Sequence, residues 1–411
     1  MEIMTINISF MPTKQSWLDF SSAPHRMFFF GGALQSILVI TWWLSDLAGR
    51  YGRFYAPVNW AASPTTIHSF LMIYGFFPFF IFGFLMTTFP RWMNGEEVER
   101  KIYLPSFLLL FTGMLLYYIA LFISEKVMMM AQILYLAGWA VGVYALLRVY
   151  WRSKHPDKLH ATITAFVLLL GWILLACSIF GGSDLQEIAK IGGIWVLLLP
   201  VFFLVSHRMI PFFSANAIPN YKVVRPMWAL VVIAIFSVLH GILEIIGGQS
   251  LTWVVDLPMA IIAFYLTMAW RIRNSLSVPI LAMLHIGFAW LGLAMMIYAV
   301  QSFTLLITGQ PYFGRAALHA LTIGYFTSIV LAMATRVTLG HSGRRLVLDN
   351  SMWIIFIVFQ AAPMLRIFSE LPGLSTQQKG CLYLCSALVW IICFGLWAFK
   401  FLPIYWERKT S

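Results

Sequence analysis

Long apolar runs, separated by short polar or charged breaks, make up most of this chain. Twelve such runs can be read: residues 27–48, 64–89, 103–123, 127–150, 159–180, 185–213, 227–247, 251–270, 278–300, 313–336, 351–368 and 380–402. Each is about 18 residues or longer, and at ~1.5 Å per helical residue that crosses a hydrocarbon layer of ~30 Å. The breaks are turn formers or charge: Ser124-Glu125-Lys126, the basic loop WRSKHPDK, Gly181-Gly182. The pattern predicts an all-α, polytopic bundle of twelve transmembrane helices. It forms one transmembrane domain, 27–402, between a polar N-terminal segment, 1–26, and a short tail, 403–411. No linker divides it. No internal repeat is visible, which leaves a hidden six-plus-six symmetry open.

Composition agrees. Hydrophobic residues make up 61% of the 411 and charged residues only 10%, too little charge for a soluble domain of this length. The net charge of +12 would suggest nucleic acid in a soluble protein. Here it follows the distribution of Lys and Arg: roughly 20 of the 27 fall on one set of helix ends, so nucleic acid is not expected as a partner. The lipid bilayer is the expected partner, and both termini are expected in the cytoplasm, as an even helix count requires. Residues 1–26 lack the apolar core of a signal peptide. The four cysteines include no C-x-x-C, and Cys381, Cys385 and Cys393 read as packing residues.

With so little charge in the spans, the nine histidines are the informative residues. His25, His155 and His160 lie in or beside polar segments and read as solvated. The other six sort by depth. His68, His240 and His319 share the outer half of the membrane. His207, His285 and His341 share the cytoplasmic side with Arg208, Arg336 and Arg344. Imidazole is the usual axial ligand of haem, so His68 and His319, at matched depth on two helices, could bracket one. Equally, each could hydrogen-bond a neighbouring helix. Arg315, one turn before His319, is placed to meet a propionate. Asp46 and Glu244, the most embedded acids visible, could fix an imidazole tautomer. On the cytoplasmic side, His207, His285 and His341 are candidate metal ligands, or the cluster is a basic pocket for an anion, or simply positive-inside charge. No H-E-x-x-H, P-loop, G-x-G-x-x-G or C-x-x-C-H is present.

Several stretches resemble one family. AALHALTIGYFTSIVLAMATRVTLGHSGR resembles the C-terminal signature of the NnrS family. HRMIPFFSANAI, PHRMFFFGGAL and GFLMTTFPRWMNG are similar to three further motifs of that family, in the same order. His207, Arg208, Asn216, His319, Arg336 and His341 fall on these motifs, and His68 on a further one at the start of the second run; His240 and His285 rest on depth alone. One departure stands out. Where many members carry W-H-A-H-E-M, this chain keeps His68 but has Phe70 and Leu71 in place of the second histidine and the glutamate. The resemblance implies a multi-pass protein of the bacterial inner membrane containing haem and copper. It also implies a link to nitric oxide metabolism, denitrification and resistance to nitrosative stress, with nitric oxide as a small-molecule ligand.

Three functions compete. The first is an NnrS-type protein that binds nitric oxide or protects iron from it. The second is a haem–copper oxidase or nitric oxide reductase, since twelve helices and membrane histidines also resemble those catalytic subunits. They use adjacent histidines on helix seven and H-x-H on helix ten; here Gly241 follows His240, and Leu321 lies two beyond His319. The third is a cofactor-free transporter, weakened by the lack of paired Gly/Pro-broken helices. Whether the chain is an enzyme is not fixed by its sequence.

Overall fold

A computed structural model describes residues 14–154 and 156–408. Among them every regular element is a helix. Eleven helices are long and apolar enough to cross a membrane: Pro24–Arg50, Pro64–Trp92, Arg100–Ala120, Glu125–Arg152, Lys158–Phe180, Ser183–Ala217, Met227–Ile245, Pro279–Thr308, Ala316–Ser342, Asn350–Phe368 and Thr376–Tyr405. The expected segment 251–270 is the shorter apolar helix Trp253–Ala269, of 17 residues. It is at the lower limit of spanning length, yet it runs the height of the bundle. At one end the Trp253 amide donates to Ser302, late in Pro279–Thr308. At the other, the Trp270 indole donates to the carbonyl of Val224, just before Met227–Ile245. With this helix as the eighth, the described residues hold twelve apolar helices, called passes below and counted in chain order.

The first pass starts at Pro24, earlier than the hydrophobic run suggests. Proline at a first helical turn is pre-organised and lacks only an amide that would be unpaired there. The start at Pro24 draws His25 and Arg26 inside, where both are buried. Before it, the short helix Lys14–Phe20 brings Phe20 against Trp406, with rings stacked 4.0 Å apart. The polar N-terminal segment and the tail thus meet.

Passes two, six and ten share a feature that periodicity does not announce. Each changes from α- to π-helical pitch partway along: Leu71–Phe76, Gly193–Leu198 and Ala320–Thr327. A π turn inserts a residue and frees a carbonyl, and in lipid that carbonyl needs a partner. In each case a hydroxyl supplies one. Tyr135 donates to the carbonyl of Tyr74, Ser237 to that of Trp195, and Thr327 to that of Thr322 at 2.8 Å. Passes two and six touch at this level: a Cβ on Gly193 would come within 2.5 Å of Ile73 and 2.9 Å of the Tyr74 hydroxyl. Only glycine fits such an approach.

Candidate functional site

At one end of the bundle, Ser63 caps the second pass by accepting the amide of Thr66, and Pro64 opens it, so His68 falls in its second turn. The imidazole stacks on Trp43 of the first pass at 4.1 Å. Its Nδ1 is buried and, among the described residues, has no hydrogen-bond partner. On the tenth pass, His319 donates from Nδ1 to the carbonyl of Arg315 at 2.9 Å, which leaves Nε2 as the acceptor. Nε2 lies 3.4 Å from the Arg366 guanidinium, at the far edge of hydrogen-bond distance. The charges of Arg366, Arg315 and Arg50 bear on His68, and those of Arg366 and Arg315 bear on His319. Arg366 comes from the eleventh pass, to which no role was assigned from sequence. It pairs with Glu370 at 3.2 Å and lies 4.1 Å over the Tyr383 ring. Asp46 does not serve an imidazole: its oxygens take Arg50 Nε at 2.6 Å and the Trp60 indole at 3.0 Å.

His240 has its own surroundings. Its Nδ1 donates to Asp256 at 2.6 Å, its ring lies 3.5 Å from that of Trp195, and its Nε2 faces Glu244 at 3.8 Å. Glu244 in turn accepts the Trp195 indole at 2.9 Å. Trp195 sits in the π-helical stretch of the sixth pass, so the change of pitch carries this ring. Asp256, on the short eighth helix, is fully buried, and among the described residues its Oδ2 has no hydrogen-bond partner. It is the acid that sequence reasoning missed. A single Asp in WVVDLPMAIIAF, four residues after a polar loop, reads as a helix-start acid rather than a buried one.

The opposite end holds the other described histidines, two pairs and a single ring rather than a triad. His160 is fully buried, not solvated as its place beside the basic loop suggested. It takes Asp157 on Nδ1 at 2.7 Å and meets His207 Nδ1 through Nε2 at 3.2 Å; His207 Nε2 points to the carbonyl of Pro226 at 3.1 Å. Asp157 also pairs with Arg208, which lies over Trp92 at 4.7 Å. His25, likewise buried, has its ring 4.8 Å from that of His341. His285 meets Ser214 at 2.9 Å. Arg336 is buried over Phe213 at 3.9 Å, and Asn216 is exposed. His155 lies outside the described residues.

Thus His207, His285 and His341 share a layer but not a centre. Among the described residues no three of His, Cys, Asp or Glu come together as a metal site. The reason is geometric: counting along a helix gives depth, whereas the direction a side chain points is set by which helix packs beside it.

The fold and these two histidine layers define a multi-pass helical membrane protein with buried imidazoles near both ends of its bundle. The chain belongs to the NnrS family: the family model described as NnrS protein matches residues 19–409. Membership makes it, in general terms, a membrane protein related to nitric oxide. No curated protein matches it.

Proposed function

We propose that the chain holds a haem at the His68–His319 end and uses it to bind nitric oxide. One observation carries the reading: a buried imidazole nitrogen on His68 that no group among the described residues satisfies, on the same end as a His319 whose Nδ1 is anchored on a backbone carbonyl. Metal-ligating histidines characteristically tie one ring nitrogen to a carbonyl or carboxylate and offer the other. The donor set therefore fits the group. Haem would supply an iron centre able to take up nitric oxide. The chain's residues would do the rest. Trp43 fixes the plane of the His68 ring by stacking, and the Arg315 carbonyl fixes the tautomer of His319. Arg50, Arg315 and Arg366 offer cations to the carboxylates of the porphyrin. Arg366 would leave the face of His319 for Glu370 and Tyr383, its other partners. Phe70 and Leu71, in place of the family's second histidine and glutamate, keep this end apolar beside His68.

For copper, the residues of the opposite layer do not fit a three-histidine centre, and no step is assigned to it. A haem–copper oxidase or nitric oxide reductase reading fares worse than the binding reading. It requires adjacent histidines on the seventh pass, and His240 is committed to Asp256. The test is the optical spectrum of the purified full-length protein supplied with haem, with metal analysis and nitric oxide addition. The expected result is a Soret band that shifts with nitric oxide and is lost in both His319→Ala and His68→Ala. Unchanged spectra in both variants, or no uptake of haem by the wild-type protein, would overturn the assignment.

A further inference from the structure

Just inward of the three π-helical stretches lies a cavity of about 40 Å³. Passes two, six and ten line it with Phe80, Phe84, Val201, Phe202, Met333 and Ala334, joined by Phe29 of the first pass. Every lining side chain is apolar. Protein interiors pack densely, with few voids larger than a water molecule. Here the void persists where three helices change pitch at one level: 71–76 precedes Phe80, 193–198 precedes Val201, and 320–327 precedes Ile329. An inserted residue turns every side chain beyond it, so the π stretches set which faces line the cavity.

We infer that this cavity is a binding chamber for a small, uncharged, weakly polar gas molecule. A single water needs roughly 10–15 Å³ on this measure, so there is room for a diatomic. Water itself needs two to four polar partners, and this lining offers none; apolar cavities of this kind stay dry and take up apolar guests such as xenon. Charged or hydrogen-bonding ligands are excluded for the same reason. The chamber lies about ten to twelve residues along the helices from His68 and His319, or roughly 15–18 Å at 1.5 Å per residue, so it is separate from the proposed haem site. It lies only two residues before His207 on the sixth pass and two before Arg336 on the tenth. Gas reaching it from lipid would be held between the two histidine layers.

The probe is xenon, applied under pressure to crystals of the full-length protein and located by its anomalous scattering. A single peak among Phe84, Val201 and Met333 is expected in the wild-type protein, reduced at least several-fold in Ala334→Val. Should that variant fail to fold, Val201→Leu, which adds one carbon to the wall, serves the same purpose. No xenon in the cavity, ordered water there instead, or unchanged occupancy in the folded variants would overturn the inference. Xenon binding needs no haem, so a failed haem assignment leaves this result readable, and the reverse holds too.

Discussion

Asp256 gives the sharpest test of how this bundle is held together. It is fully buried, His240 is 2% exposed, and the two share a 2.6 Å hydrogen bond between the seventh and eighth passes. Asp256→Ala strands the Nδ1–H of His240 without an acceptor, and an orphaned buried donor costs about 1–3 kcal/mol. His240→Leu strands the acid instead. Breaking a buried charge pair from that side costs more, about 3–5 kcal/mol, because a carboxylate is left in an apolar environment. Asp256→Asn keeps an oxygen for the imidazole and loses only the charge assistance, so it falls nearest the wild type. Replacing both residues, as His240→Leu with Asp256→Ala, removes donor and acceptor together and should come close to neutral. The assay is the apparent melting temperature of the full-length protein in one detergent, read as a double-mutant cycle. The expected order, most stable first, is wild type, the double variant and Asp256→Asn, then Asp256→Ala, then His240→Leu. If Asp256→Ala melts with the wild type, or the double variant loses as much as the two single losses added together, the hydrogen bond does not hold these helices.

Two further outcomes are expected. Gly138→Ala and Gly395→Ala make the same change in mid-helix, where alanine gains about 0.8–1 kcal/mol in propensity. A Cβ at Gly395 meets nothing within 4 Å, while at Gly138 it lands 2.7 Å from the Leu110 backbone nitrogen. Gly395→Ala should therefore hold or raise the melting temperature, and Gly138→Ala should lower it by overpacking of about 1–3 kcal/mol; equal behaviour would refute the close contact of the third and fourth passes. For topology, reporter fusions placed after Arg345 and at the C-terminus should both read cytoplasmic, and an outside signal from either would overturn the orientation taken from the Lys and Arg bias.

Much of the architecture was legible in the sequence because membrane burial imposes a length and an apolar content on each pass. That constraint predicts twelve helices, and even Trp253–Ala269, the weakest, lies within its expected segment. Depth was legible for the same reason, since position along a helix is a simple count. Direction was not. His160 read as a loop residue because it stands beside WRSKHPDK; its burial depends on the first turn of the fifth pass facing the sixth, where His207 meets it. His25 read as solvated because the apolar run begins after it, whereas Pro24 starts the helix earlier. Arg366 and Asp256 gave no signal, as a single charge in an apolar run looks alike whether it faces lipid headgroups or a buried imidazole. The π stretches were invisible too, because the hydroxyls that satisfy their freed carbonyls come, for Tyr135 and Ser237, from other helices. The sequence by itself determined the number, length and depth of the helices, which are properties of each segment alone. Which imidazole meets which acid, and where the packing leaves a void, depends on how helices distant in sequence rotate against one another, and only the tertiary structure decided that.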